Sequence, residues 1–172
     1  MYKEIIVIKS VIKAFLIILV LQTTLNSQEI NINTIVNTAK TTQKHLFIWL
    51  HKTDCGYCES MKESTLENEI VKSFINQHFI FVHININEDD RVIYKKFDGS
   101  GRDFAKKVNY DFYPSSLFFD DNAEIVHSEV GYRDSKISPN EKRFFTILNF
   151  IESKSYKTMD YEDYEFNIKE EL

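Results

Sequence analysis

The sequence contains only two cysteines, Cys55 and Cys58, and both lie in the segment Cys55-Gly56-Tyr57-Cys58. An apolar run, His45 to His51, precedes this segment, and apolar residues at helical spacing follow it. Two cysteines are too few for a small disulfide scaffold, or for a zinc or iron–sulfur site made of four cysteines. Because an apolar run precedes the pair and helical spacing follows it, the pair is predicted to lie between a buried strand and a helix.

The composition indicates one globular domain with room for a targeting segment. The chain has 172 residues, 43% hydrophobic and 14% aromatic, so it can bury a core and is not dominated by disorder. Glycine (4) and proline (2) are scarce, which excludes collagen-like and proline-rich chains. The net charge of -5 argues against nucleic acid as a partner, because binding to phosphates needs an excess of basic residues.

The first 27 residues have the pattern of a secretory signal peptide. Lys3, Lys9 and Lys13 precede the apolar run from Ala14 to Leu21, and smaller polar residues follow as far as Ser27. The run is much shorter than the roughly 20 residues of a membrane-spanning helix. We expect cleavage after Ser27, which lowers the net charge from -5 to -7, and a location in the periplasm. The alternative is an uncleaved membrane anchor, and both place the cysteines where disulfides form.

Hydrophobic periodicity predicts an α/β domain with a mixed central sheet and helices on both faces. After a leading helix the predicted order is β-α-β-α-β-β-α, and residues 88–101 are predicted to be a polar connection with a turn at Gly99 and Gly101. The predicted helices cover 31–43, 55–77 and 102–108, with a last one that starts at Ser138-Pro139, and the predicted strands cover 45–51, 79–86, 116–119 and 124–130.

The place of the two cysteines at the start of a helix favours redox chemistry. The free N–H groups and the helix dipole stabilise a thiolate there, and the thiolate is the nucleophile in thiol–disulfide exchange. We expect Cys55 to be the exposed attacking thiol, and Cys58, one turn into the helix, to resolve the mixed disulfide. Gly56 lets the backbone close this tight ring without a side-chain clash. No cofactor is expected, because the cysteine pair carries the chemistry itself.

Three other uses of such a pair are disfavoured by the residues around it. A zinc site needs two further ligands, and the histidines at 45, 51, 78, 83 and 127 show no matching pair spacing, so no metal is expected. Covalent haem attachment requires a histidine directly after the second cysteine, where this chain has Glu59. A purely structural disulfide stays an alternative, although a loop this short constrains the unfolded chain very little.

The chain resembles the thioredoxin-fold family, in particular exported thioredoxin-like proteins of the SoxW type, over roughly residues 40–155. The resemblance rests on the apolar strand that ends before Cys55-Gly56-Tyr57-Cys58, the strand Phe79–Ile86, the segment Tyr110-Asp111-Phe112-Tyr113-Pro114-Ser115-Ser116-Leu117-Phe118-Phe119-Asp120, and Glu129-Val130-Gly131-Tyr132 before the last helix. It implies a thioredoxin-like domain over residues 28–155, and the acidic, aromatic residues 156–172 are then a C-terminal extension.

The resemblance also implies roles for residues away from the cysteines. Pro114 is expected to form a cis peptide bond and to pack beside the pair, together with Tyr57 as a supporting residue. The backbone of Tyr113 is expected to pair with substrate like an added strand. Gly131 is expected to mark a bend or bulge in the last strand.

The chain departs from thioredoxin itself at three positions. Thioredoxin has a tryptophan before its first active cysteine and a proline between the two, where this chain has Asp54 and Tyr57. It also has a buried acid six residues before the first cysteine, and that place is taken here by Trp49. His51 and His83 are therefore the candidates for proton transfer near the pair.

These features predict an exported protein-disulfide reductase. The charges of Asp54 and Glu59 oppose thiolate formation, which argues against a strongly oxidising pair. The expected partners are disulfide-containing exported proteins and a membrane thiol electron donor. Related exported isomerases carry a dimerisation domain for which this chain has no room, so we expect a monomer. The alternatives are a disulfide oxidase or isomerase of the same fold, and a module of this fold that binds a metal or a partner.

Overall fold

A computed structural model of the chain describes residues 28–133 and 140–170. The predicted signal peptide, residues 1–27, and the predicted helix start at Ser138-Pro139 lie outside these residues. Within the described part of the chain, no helix is both long enough and apolar enough to cross a membrane.

Strands and helices alternate along most of the described chain. The strands are β1 (Glu29–Asn31), β2 (His45–His51), β3 (Phe79–Asn85), β4 (Arg91–Tyr94), β5 (Phe97–Ser100), β6 (Ser115–Phe119) and β7 (Ile125–Val130). The α-helices are α1 (Ile32–Thr41), α2 (Gly56–Met61), α3 (Glu69–His78), α4 (Gly101–Lys107), α5 (Asn140–Glu152) and α6 (Tyr161–Glu170). A π-helical turn (Lys62–Leu66) continues α2, and a 3-10 turn (Ser155–Lys157) precedes α6.

The central sheet has four strands in the order β3-β2-β6-β7. β2 pairs parallel with β3 and antiparallel with β6, and β6 continues antiparallel into β7. β2 and β6 are the inner strands, and nearly all of their residues are buried. Burial on both faces explains why these two strands have continuous apolar runs instead of an alternating pattern.

Alternate side chains of β2 and β6 build two separate cores, because successive residues of a strand point to opposite faces. On one face Phe47 stacks on Phe118, with 4.8 Å between ring centroids, under α2, α3 and α5. On the other face Ile48 and Leu117 pack against α1 and α4. This arrangement confirms the predicted mixed sheet with helices on both sides.

A second, three-stranded sheet was not predicted. Its order is β1-β4-β5, with β1 parallel to β4 and the pair β4–β5 antiparallel, where the sequence predicts only a polar connection. Arg91 of β4 donates hydrogen bonds to Glu29 of β1 at 2.8 Å and to Asp98 of β5 at 2.6 and 2.8 Å. These strands are three or four residues long, which is too short for a strand pattern to be recognised in the sequence.

The helix predicted over 55–77 consists of three pieces. α2 ends at Met61, the π-helical turn follows, and α3 begins only at Glu69. The side chain of Asn68 accepts hydrogen bonds from the backbone N–H groups of Ile70 at 3.1 Å and Val71 at 3.3 Å. Asparagine is a strong N-cap residue, and here it starts a new helix instead of continuing the old one. The prediction of one continuous helix was therefore wrong.

Candidate active site

Cys55 and Cys58 form a disulfide at the junction between β2 and α2. Cys55 is the N-cap of α2, and its Sγ accepts a hydrogen bond from the backbone N–H of Cys58 at 3.2 Å. Both cysteines are buried, and Cys55 is slightly more exposed than Cys58, at 7% against 1% of the residue surface. This difference suits Cys55 for attack on a bulky substrate and Cys58 for an internal resolving step.

A tight turn brings the chain from β2 into α2. Asp54 has a left-handed backbone, with φ of 54°, which aspartate tolerates better than most residues. The loop after β3 holds this turn in place. The backbone N–H of Thr53 donates to the side chain of Asn87 at 3.1 Å, and Asn85 Nδ2 donates to Thr53 Oγ1 at 3.2 Å.

The loop before β6 lies against the disulfide. The Tyr113–Pro114 peptide bond is cis, and the carbonyl oxygen of Tyr113 lies 4.0 Å from Cys55 Sγ. Gly131, with φ of +86°, donates its backbone N–H to the Pro114 carbonyl at 2.7 Å, and so links this loop to the end of β7. The structure thus brings three predicted residues, Tyr113, Pro114 and Gly131, to one place beside the cysteines.

His51 and His83, the two histidines predicted to take part in proton transfer, share a groove of about 400 Å³ with Glu59. The His51 ring stacks on Trp49 at 4.2 Å between centroids and lies 5.6 Å from the His83 ring. Burial, and then the nearby His83, lowers the pKa of His51 below its ordinary value, which favours the neutral imidazole. Glu59, which directly follows Cys58, lines this groove as well.

Trp49, the residue at which the sequence departs from the acid expected from the resemblance, lies in the interior. It lies in the same core cluster as Cys55 and Cys58, and it is 6% exposed. Its indole Nε1 and the Nε2 of His51 are both buried without a hydrogen-bond partner among the described residues. Both residues line the same groove as Glu59 and His83.

Three exposed apolar side chains are neighbours in sequence of the site residues, and sequence reasoning identified only one of them. Tyr57, between the cysteines, is 67% exposed, and Phe112, two residues before Pro114, is 69% exposed. Val130, next to Gly131, is also exposed. Phe112 and Val130 were not singled out from the sequence. The sequence signal that could have identified them is that Phe112 directly precedes Tyr113 and Val130 directly precedes Gly131.

The described residues, 28–133 and 140–170, contain no group of three or more histidines, cysteines, aspartates or glutamates that could hold a metal ion.

Comparison with known proteins relates the fold to the thioredoxin group. A family model described as thioredoxin-like domain matches residues 32–141. The fold is similar to a thioredoxin-fold protein from Helicobacter pylori, at 22% identity and a TM-score of 0.58, over 74% of this chain and 81% of that one. It is also similar to a thioredoxin from Thermus thermophilus, at 16% identity and a TM-score of 0.53, over 73% and 86% of the two chains.

A third similar structure is a putative disulphide-isomerase from Bacteroides thetaiotaomicron, at 22% identity and a TM-score of 0.51, over 70% of this chain and 89% of that one. No curated protein sequence matches the chain. At these identities the likeness concerns the fold alone. Together with the family model it confirms the predicted thioredoxin-like fold.

The buried histidines predict that the protein loses stability in mild acid. Burial lowers the pKa values of His45, His51 and His127 below their ordinary 6.5. As the pH falls through 6.5, the unfolded chain binds protons that the folded chain does not, so the free energy of unfolding decreases. We expect urea unfolding to show this decrease from pH 7.5 to pH 5, with at most about 1.4 kcal/mol per pH unit for each histidine.

His127→Gln removes one of these three titrating groups. In this variant the free energy of unfolding should decrease less from pH 7.5 to pH 5 than in the wild type. The lowered pKa of Asp98 acts only as the pH falls below the ordinary 3.8 of a carboxyl, outside this range. A free energy of unfolding that stays constant or rises from pH 7.5 to pH 5 would contradict the prediction.

Proposed function

We propose that this chain, which belongs to the thioredoxin-like domain family, is an exported thiol–disulfide oxidoreductase that reduces disulfides in substrate proteins. The observation that carries the proposal is the Cys55–Cys58 disulfide at the start of α2, beside the Tyr113–Pro114 loop. The finer resemblance to exported SoxW-type proteins is part of the proposal. It favours a periplasmic protein that receives its electrons from a membrane thiol donor.

The reduced pair would act in two exchange steps. The Cys55 thiolate attacks one sulfur of a substrate disulfide, which forms a mixed disulfide and releases the other substrate sulfur as a thiolate. The Cys58 thiolate then attacks Cys55 Sγ, releases the second substrate thiolate and closes the Cys55–Cys58 disulfide. Two electrons pass to the substrate, and the donor must return two electrons before the next cycle. The greater exposure of Cys55 supports this order of attack.

We propose that His51 accepts the proton that the Cys58 thiol loses before it attacks. Cys58 must lose its proton before it can attack Cys55 Sγ. In thioredoxin an acid lies six residues before the first cysteine, but this chain has Trp49 there, so another group must accept the proton. The lowered pKa of His51 keeps its imidazole neutral near pH 7, so that it can accept a proton. His83, in the same groove, lies on the more exposed strand β3 and can exchange that proton with solvent.

The surface around the pair supports a polypeptide as substrate. Tyr57 and Phe112 offer exposed aromatic rings, which bury large areas when a partner docks. The backbone of Tyr113 lies beside Cys55 Sγ, where it can hydrogen-bond to the main chain that flanks a substrate cysteine. These contacts would position the substrate sulfur in line with Cys55.

Cysteine variants test the chemistry directly. We expect Cys55→Ser to abolish the reduction of insulin disulfides, because it removes the attacking sulfur. Cys58→Ser should accumulate mixed disulfides with substrate, because the resolving thiol is gone while the attacking one remains. Electrophoresis without reductant detects the trapped species, and the double variant Cys55→Ser/Cys58→Ser is the control. Full activity of Cys55→Ser would sink the proposal.

The reduction potential of the pair tests the direction of electron flow. A reductase should have a potential near about -270 mV, whereas a strong oxidase of this fold lies near about -120 mV. The acidic neighbours Asp54 and Glu59 favour the first value, because they destabilise the thiolate of the reduced pair. Equilibration with glutathione or dithiothreitol buffers gives the potential. A value close to that of the oxidase would replace the proposal with the oxidase or isomerase alternative.

Fractionation of cells that express the full chain tests the location. We expect the protein in the periplasmic fraction, with a new N-terminus after Ser27, because residues 1–27 have the pattern of a signal peptide. Mass spectrometry of the purified protein reads that terminus. An uncleaved chain in the membrane fraction would favour the anchor, and a cytosolic chain that begins at Met1 would contradict export.

A further inference from the structure

β7 is an edge strand of the central sheet, and its pairing determines which of its backbone groups are free. The N–H of Gly131 bonds to the Pro114 carbonyl, so this pair belongs to the hydrogen-bonded set of the antiparallel ladder. By alternation in the observed register, Glu129 and His127 also turn their backbone groups toward β6. The N–H and carbonyl groups of Ser128 and Val130 therefore point away from the sheet.

A groove of about 700 Å³ runs along part of this edge. Tyr110 forms one wall, and its hydroxyl accepts a hydrogen bond from Ser128 Oγ at 2.8 Å. The segment from Tyr156 to Glu162 forms the other wall. Tyr161 holds that wall in place, because its ring packs 5.0 Å from His127 and 5.6 Å from Phe150 between centroids.

Among the residues that the structure describes, none forms a backbone hydrogen bond with the outward side of β7. The segment from Tyr156 to Glu162 lies beside the edge without pairing with it. The regular ladder is interrupted by a bulge between His127 and Ile125, so the free stretch is short and centres on Ser128 and Val130. It offers two donors and two acceptors in the spacing of an added strand.

We propose that an extended segment of the substrate polypeptide adds to β7 as a further strand and lies in this groove. The inference rests on the proposed function, since it names how the substrate of that site is held. Backbone hydrogen bonds to Ser128 and Val130 supply affinity that is independent of sequence. Alternate side chains of the added strand point to the Tyr110 wall and to the wall formed by Tyr156 to Glu162.

The position of the groove favours a substrate polypeptide as its occupant. The free edge ends at Val130, and the next residue, Gly131, hydrogen-bonds to the Pro114 carbonyl beside the disulfide. A chain that lies along the edge therefore continues onto the surface of Tyr57 and Phe112. The edge of β7 recognises main chain, and the exposed rings of Tyr57 and Phe112 recognise apolar side chains, which together suit an unfolded or loosely folded polypeptide.

Ser128→Pro removes one outward N–H and obstructs strand addition. Proline is tolerated on an edge strand when its missing N–H faces away from the neighbouring strand, so the fold should survive. We expect kcat/KM for insulin to fall about tenfold, and kcat/KM for the small disulfide dithiobis(nitrobenzoate) to stay within about twofold. Ser128→Ala keeps the N–H and carbonyl but removes the bond to Tyr110, so any loss that it shows on insulin measures the side chain and not the backbone pairing.

Hydrogen exchange on the oxidised wild-type protein gives a readout that needs neither a variant nor catalysis. The probe is reduced, carboxymethylated insulin B chain, which has no disulfide to react. We expect exchange of the Ser128 and Val130 amides to slow at least about tenfold at saturating peptide, as new hydrogen bonds protect them. The amides of His127 and Glu129, already paired with β6, should not change.

These measurements distinguish failure of this inference from failure of the proposed function. Wild-type activity of Ser128→Pro on insulin, or unchanged exchange at Ser128 and Val130 with the B chain bound, overturns the added strand. Slowing that depends on protein concentration without peptide indicates pairing of two copies and also overturns it. A wild type that reduces neither disulfide contradicts the proposed function, while the exchange experiment still decides whether β7 binds polypeptide.

Discussion

The antiparallel pairing of β2 with β6 determines where an active site can form in this protein. Trp49 of β2 lies opposite Ser116 of β6, so the end of one strand meets the beginning of the other. Pro114 directly precedes β6 and Cys55 follows four residues after the end of β2, although the two are far apart in the sequence. Without this register the disulfide would lie on a bare helix start, with no loop beside it to position a substrate.

The same pairing explains the unusual interior below the cysteines. β2 is an inner strand with both faces buried, and Trp49 and His51 lie near its C-terminal end. Their ring nitrogens lack partners among the described residues, and such burial costs free energy. Burial lowers the pKa of His51, so its imidazole is neutral at rest, whereas a carboxylate at this place would carry a charge. If His51 is the proposed base, the site combines a hydrophobic wall with a base that is neutral until it accepts the thiol proton.

Sequence patterns identified the elements that are buried most completely. β2 and β6 could be predicted because burial on both faces requires long apolar runs, and the cysteine pair because its place between a strand and a helix is readable in the chain. The sheet of β1, β4 and β5 could not, since a three- or four-residue strand leaves too short a pattern. The break at Asn68 was missed because apolar spacing continues across it, while the decisive signal was a single capping side chain.

Residues that define a surface were harder to find than residues that define the core. Phe112 and Val130 are apolar like core residues, and only the folded structure shows that their side chains are exposed. The backbone groups of β7 that point away from the sheet have no sequence signature, because any residue except proline offers the same N–H and carbonyl. If the substrate is held through these groups, its own sequence matters little, and the reactivity of an accessible disulfide selects it. Binding through main-chain groups would therefore suit the proposed reductase, because its selectivity would come from the chemistry of the cysteine pair.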